Sequence, residues 1–253
     1  MLSDEQVERY ARQLVMPEMD EAGQERLLNA HILVVGAGGL GSAVLTALVC
    51  AGVGHIGVID GDVVDITNLN RQFVHHTHMV NTAKIDSAIT HLSMLNPDVK
   101  FSGYEDYLTA ENGDEIITGY DLVIDCTDQP DTRSLVNSLC IRHGIKLVFG
   151  GAIKLDGQIT VIDPEDPNSP CLHCIFPSTD IDYDQAPSCS RTGVLGTTTM
   201  LIGTLQAQEA IKLICGFGSS LKNKLLIYDG LNCEFMSIAT KRDSHCITCA
   251  NRS

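Results

Sequence analysis

Gly36, Gly38 and Gly41 stand in a G-x-G-x-x-G pattern that follows an apolar run, His31 to Val35, and opens a second run suited to a helix. That spacing binds phosphate. The first glycine permits a tight turn, the second lets phosphate approach the backbone, and the third lets the helix close onto the strand. The helix amino terminus adds N–H donors and a partial positive charge. Gly39 lies within the same turn and is counted with it. Asp60 ends the next apolar run, where a carboxylate can take ribose hydroxyls. So far the pattern suits NAD as well as ATP. Asn68, Arg71 and Lys84 come soon after, and a guanidinium fork with a point charge is a complementary pair of tools for polyphosphate. Asp128 follows the run Leu122 to Cys126, at the edge where open α/β sheets take ligands, and its carboxylate suits magnesium. Taken singly, Arg71 and Lys84 also read as solvated charges, and Asp128 as a helix cap.

The cysteines offer a second chemistry. Cys171 with Cys174, and Cys246 with Cys249, are two C-x-x-C pairs. Each pair can chelate a metal, and together they complete a closed tetrahedral zinc site, structural because four thiolates leave no open position. The plainer reading is two unrelated thiol pairs, one of them redox-active. His173 and His245 are expected to be spectators. Cys189 lies in a polar loop with Arg191, which can favour its thiolate. Cys50, Cys126, Cys140, Cys215 and Cys233 sit in helix or strand patterns and read as small core residues.

These groups need a scaffold. Ser3 and Gln6 form a capping box, and Val7, Tyr10, Ala11 and Leu14 give a helical stripe that Pro17 ends. A short helix is expected from Ala22 to Leu28. Strands at His31 to Val35, His55 to Asp60, Leu122 to Cys126 and Ile145 to Phe149 alternate with helices at Gly41 to Ala51, Lys84 to Leu95 and Pro130 to Gly144. That rhythm predicts a Rossmann-like α/β fold with a mostly parallel sheet and helices on both faces. Gln158 to Ile162, Leu225 to Tyr228 and Glu234 to Ile238 extend the sheet with antiparallel strands. The whole chain, 1–253, reads as one domain: amino-terminal helices over 1–30, a nucleotide half over 31–150, and a carrier-binding and zinc half over 151–253.

A net charge of −15 disfavours nucleic acid and anionic membrane surfaces. The amino terminus carries no basic start followed by an apolar run, so no secretory signal is expected. The most apolar stretch, Val194 to Cys215, holds Gln206, Gln208, Glu209 and Lys212, which a bilayer span would not tolerate cheaply. Ten cysteines without a signal peptide point to a reducing compartment, the cytoplasm.

The segments Glu8 to Gln13, the glycine turn, Asn68 to Gln72, Lys84, Asp125 to Asp128 and Gly157 to Val161 occur in the order of the MoeB/ThiF family, which the chain resembles along essentially its whole length. The resemblance implies adenylation, by ATP with magnesium, of the carboxyl-terminal glycine of a small ubiquitin-like sulfur-carrier protein. It assigns Asp60 to the ribose, Asn68, Arg71 and Lys84 to the phosphates, and Asp128 to magnesium. Arg12 would reach the phosphates of a neighbouring subunit's site, implying a homodimer. Cys189 matches a cysteine that in ThiF-like members takes part in sulfur transfer. Gln129 departs from the family's usual asparagine and is left out of the site. The Cys189 to Gly193 run and Tyr228-Asp229-Gly230 look more ThiF-like than MoeB-like, favouring thiamine over molybdopterin supply. The chain ends soon after Cys249 without a rhodanese domain, so the sulfur donor is expected to be a separate protein. The competing readings are an NAD-dependent oxidoreductase, which leaves Arg71, Lys84 and Asp128 idle, and a non-catalytic module that docks a ubiquitin-like protein.

Overall fold

The computed structural model describes residues 1–177 and 192–252. The capping box forms as the sequence requires: Gln6 N–H donates to Ser3 Oγ at 3.2 Å and Ser3 N–H donates to Gln6 Oε1 at 3.0 Å. The expected single helix is nevertheless two, α1 (Asp4–Arg9) and α2 (Ala11–Leu14), broken at Tyr10. The break turns Tyr10 into the core, where Asn96 Nδ2 donates to its hydroxyl at 2.8 Å. Helix α3 (Asp20–Asn29) then leads into β1 (His31–Val35).

The βαβ rhythm follows with α4 (Gly39–Ala51), β2 (His55–Ile59), α5 (Lys84–Leu95), β3 (Lys100–Tyr104), α6 (Gly113–Ile117), β4 (Leu122–Asp125) and α7 (Pro130–His143). Pro130 opens α7 and Gly144 closes it in a left-handed cap, as the sequence predicts. Next come β5 (Lys146–Ile153), β6 (Asp156–Ile162), α8 (Leu172–Ile175), α9 (Gly196–Cys215), β7 (Lys224–Asp229) and β8 (Glu234–Ala239). Strand β5 runs past Phe149 to Ile153 and turns directly into β6.

The strands make one sheet in the order β3-β2-β1-β4-β5-β6-β7-β8. Strands β3 to β5 pair in parallel, and β6, β7 and β8 extend them antiparallel. Alternation along β1 sends its side chains into two cores. Ile32 and Val34 pack with Leu48 of α4, Leu92 of α5 and Ala210 of α9. Leu33 and Val35 pack with Ile117 of α6 and Leu139 of α7 on the other face. A strand buried on both faces needs crossover helices on both, which is why the apolar run at His31–Val35 dictates a layered α/β architecture.

The buried polar residues of α9 have partners. Gln206 Nε2 donates to the Asp125 carbonyl at 2.7 Å and reaches the Val148 carbonyl at 3.4 Å, tying α9 to β4 and β5. Glu209 pairs with Lys212 and accepts from Leu221 N–H at 2.8 Å. Among the described residues no helix is long and apolar enough to cross a membrane.

Candidate active site and metal cluster

The strand order reverses at β1, whose neighbours are β2 and β4, and a cleft of about 440 Å³ opens there beyond the carboxyl ends of the strands. The glycine turn forms its floor. Gly36 has φ +98° and sits so close to β4 that a Cβ would lie 3.0 Å from the Cys126 carbonyl oxygen. A Cβ on Gly41 would lie 2.0 Å from the Gly36 carbonyl oxygen, so α4 packs on the turn only without a side chain there. Gly38 differs: a Cβ would meet only Gln72 Nε2, at 3.7 Å, and would otherwise project into open space. Gly36 and Gly41 thus meet the turn and packing demands that their spacing predicts, and Gly38 leaves open space above its backbone. Gly36, Gly38 and Gly39 line the cleft, while Gly41 lies behind it as the packing glycine.

Ala37, between the first two glycines, is pinned from both sides. Its N–H donates to Asp60 Oδ2 at 2.8 Å, and its carbonyl lies 3.0 Å from His75 Nε2. His75 is buried, and its Nδ1 is 3.0 Å from Ser87 Oγ. A neutral imidazole protonated at Nε2 satisfies both contacts, and burial holds the His75 pKa down at about 4. Asp60 Oδ1 also accepts from Asp62 N–H at 2.9 Å. Burial pushes the Asp60 carboxyl above its ordinary value, and the nearby Lys84 charge opposes that rise.

Lys84, buried at the first turn of α5, points back into the cleft, 2.7 Å from Asp62 Oδ2 and 3.7 Å from Asp60 Oδ2. Partial burial alone would raise Asp62, but hydrogen bonds from Lys84 and the Tyr107 hydroxyl outweigh it and hold that carboxyl below its ordinary value. Asn68 and Arg71 line the same cleft from the segment after β2. Asn68 Oδ1 accepts from Asp65 N–H at 3.2 Å, closing a short 3₁₀ turn, and Arg71 donates to the Thr67 carbonyl at 3.1 Å. Asp128 faces them from the end of β4, exposed, with Gln129 Nε2 at 3.4 Å. An exposed carboxylate at that edge is the hard oxygen donor a magnesium ion takes.

Four residues that the sequence left without a role also line the cleft: Asp62, Gln72, Tyr107 and Arg133. Gln72 is buried with Oε1 lacking a protein partner, an acceptor left for a ligand donor. Arg133 donates to the Thr127 carbonyl at 2.6 Å and stacks over Phe149 at 5.2 Å. Its position in the first turn of α7, where cations are disfavoured by the helix dipole, was the available signal. Beneath it, complete burial raises the Asp125 carboxyl, opposed by Arg133 and by hydrogen bonds from Thr127.

Arg12 is exposed on α2 and does not line the cleft of its own chain. Cys189 lies outside the described residues. Cys50 and Cys233 are exposed rather than core residues, whereas Cys126, Cys140 and Cys215 are buried as expected. Cys50 is near the end of α4 on its outer side, and Cys233 occupies the β7–β8 turn at φ +57°, places that a helix or strand pattern does not mark as exposed.

The two C-x-x-C pairs meet. Cys171, Cys174, Cys246 and Cys249 bring their sulfurs within 4.8 Å of one another, with closest approaches of 3.4 Å, 3.5 Å and 3.8 Å. Tetrahedral zinc with bonds of about 2.3 Å sets its sulfurs about 3.8 Å apart, so the cluster fits one ion. His173 turns away, towards Ser134 Oγ at 2.9 Å and the Thr248 hydroxyl, and is a spectator to the thiols as expected.

Comparison with known proteins gives a consistent result. A model of the ThiF family matches residues 10–248. A protein of Thermus thermophilus named sulfur carrier protein adenylyltransferase is 40% identical over 250 residues, covering 98% of this chain and 92% of the relative. The adenylyltransferase and sulfurtransferase uba4 of Pyricularia oryzae is 38% identical over 273 aligned residues; this chain is covered fully but spans only 56% of that relative. Among solved structures, Escherichia coli MccB with ATP superposes with a TM-score of 0.85 at 20% identity, over 96% of this chain and 75% of MccB, a likeness of fold.

Proposed function

The chain belongs to the ThiF family, and from that premise we propose that it is an ATP-dependent adenylyltransferase acting on a small ubiquitin-like sulfur-carrier protein. The observation that carries this reading is the convergence of the glycine turn, Asn68, Arg71, Lys84 and Asp128 on one cleft at the switch of the sheet. In the reaction, a carboxylate oxygen of the carrier's terminal glycine attacks the α-phosphorus of ATP. The bond from that phosphorus to the bridging oxygen breaks, and pyrophosphate leaves with the bond's electrons. Carboxylate and triphosphate repel, so the site must neutralise charge and align the two in line.

The glycine turn and the start of α4 supply N–H donors to the phosphates. Asp60 keeps lone pairs free for ribose hydroxyls, and Arg71, Lys84 and Asn68 hold the phosphates. Asp128 would hold a magnesium ion, which supplies further positive charge to the phosphate oxygens. Arg12, exposed and away from its own cleft, suits a role in the partner's site of a homodimer. The four-cysteine cluster holds structural zinc. Cys189 serves the later sulfur transfer, with sulfur brought by a separate donor protein in the cytoplasm. The thiamine pathway is favoured over molybdopterin by the Cys189 to Gly193 run and the Tyr228-Asp229-Gly230 strand end. An NAD-dependent oxidoreductase is not favoured, because it leaves the cationic side of the cleft without work.

The test is carrier-dependent exchange of pyrophosphate into ATP, run with a panel of purified sulfur carriers. One carrier is expected to support exchange, and Asp128→Ala to abolish it. Wild-type exchange in Asp128→Ala overturns the magnesium assignment, and absence of exchange with every carrier overturns the proposed reaction.

A further inference from the structure

The segment between Arg71 and Lys84 carries a motif that adenylation does not use, His75-His76-Thr77-His78. His75 is engaged with the glycine turn, but His76 turns elsewhere and meets His91 of α5, with His78 beside His76. His76 Nε2 lies 2.8 Å from His91 Nδ1, with ring centroids 4.7 Å apart. The His78 ring stacks on His76 at 5.6 Å with the planes 9° apart. His76 and His91 are half-buried and His78 is exposed. The histidine ion pairs among the described residues belong to His143 and His245, so no carboxylate competes for these three imidazoles.

We propose that His76 and His91, with His78 as third ligand, form a binding site for a borderline divalent transition-metal ion such as Ni2+, Zn2+ or Cu2+. Neutral imidazole is the ligand this class prefers. The geometry is close to what an ion needs. With metal–nitrogen bonds of about 2.0–2.1 Å, adjacent nitrogens stand about 3.0 Å apart at a right angle and about 3.4 Å at the tetrahedral angle. The present 2.8 Å separation therefore has to open by only a few tenths of an ångström.

One proton now lies between the two nitrogens. On metal binding it moves to the far nitrogen of the ring that donates it, so both facing nitrogens present lone pairs and neither ring changes charge. The exposed His78 ring reaches the ion by side-chain rotation, and water fills the remaining positions. This site is chemically and spatially separate from the cysteine cluster. It has imidazole in place of thiolate ligands, and α5 packs on the opposite face of the sheet from Cys171.

The test uses untagged protein carrying one equivalent of zinc, which four thiolates take in preference to imidazoles, titrated with Ni2+ by calorimetry. One saturable Ni2+ per chain is expected, retained through gel filtration. His76→Ala and His91→Asn, whose amide can replace the Nδ1 hydrogen bond, should each weaken binding by at least about tenfold. His78→Ala should weaken it less, and His245→Ala not at all. Circular dichroism checks that each variant is folded. In the wild type, Ni2+ should broaden the ring-proton resonances of His76, His78 and His91 together, a readout that needs no variant. Absence of saturable binding at millimolar Ni2+, or unchanged binding by folded His76→Ala and His91→Asn, overturns the site. Wild-type binding by His78→Ala overturns the role of that residue.

Discussion

Gly38 and Gly41 are separated by two residues, yet replacing each with alanine should produce opposite phenotypes. At Gly41 the new methyl would lie 2.0 Å from the Gly36 carbonyl oxygen, well inside contact distance, and that atom belongs to backbone that cannot rotate away. Helix α4 must shift by about 1 Å or more, and overpacking of this kind costs about 1–3 kcal/mol. For a chain of this size each kcal/mol lowers Tm by about 2–4 °C, so Gly41→Ala should fall by roughly 2–12 °C. At Gly38 the methyl would meet only Gln72 Nε2 at an ordinary 3.7 Å, so Tm should stay within about 2 °C. The same methyl enters the space where phosphate approaches the backbone. A displacement near 1 Å of the reacting group can cost about 100-fold, so Gly38→Ala should lower kcat/KM for ATP by about 10- to 100-fold. Thermal unfolding followed by circular dichroism, together with pyrophosphate exchange at varied ATP, separates the two effects. The reasoning is refuted if Gly38→Ala loses as much Tm as Gly41→Ala, or if it retains wild-type kinetics with ATP.

Elemental analysis should find one zinc per chain, with Cys249→Ser losing both the zinc and thermal stability; a stable metal-free wild type contradicts this. His75 is held neutral with a pKa of about 4 against an ordinary 6.5, so its contribution is intact above pH 6.5 and is lost as the pH falls towards 4. Between pH 7 and pH 5 that loss is roughly 2 kcal/mol, and urea unfolding should show a correspondingly shallower pH dependence in His75→Gln. Gln206→Leu removes the donor to the buried Asp125 carbonyl and should cost about 1–3 kcal/mol, seen as a lower urea midpoint with an unchanged m-value.

Where local pattern and tertiary demand coincide, the sequence was sufficient. The His31–Val35 strand, the glycine turn and the Pro130–Gly144 helix have the expected positions because apolar period, caps and backbone freedom all point the same way. The misses share a different cause. Strand β3 is an edge strand with a mixed, half-exposed surface, so it lacks the continuous apolar signal of β1. Strand β5 continues through Gly150 and Gly151, residues that read as a stop; Gly150 makes room for Gln206, and both pair with β6. The amino-terminal helix breaks at Tyr10 because Asn96, distant in sequence, provides a buried partner for its hydroxyl. In the cleft, Gly36, Gly38, Gly39, Asp60, Asn68, Arg71, Lys84 and Asp128 come together as motif order predicts. Arg133, Tyr107 and Asp62 were not legible in that order, since α7 and the segments after β2 and β3 approach one another only in the folded chain.

Ala37 sits at the centre of the glycine turn with its N–H held by Asp60 and its carbonyl by His75, and Gly36 N–H donates to Ile59 at 2.8 Å. The cradle is thus already shaped before any nucleotide arrives. The conformational entropy of ordering this loop is spent during folding and not again at each binding event. ATP should accordingly bind with little loss of backbone freedom. The amides of Gly36 and Ala37, already bonded to Ile59 and Asp60, should resist hydrogen exchange to much the same degree in the free and the nucleotide-bound protein.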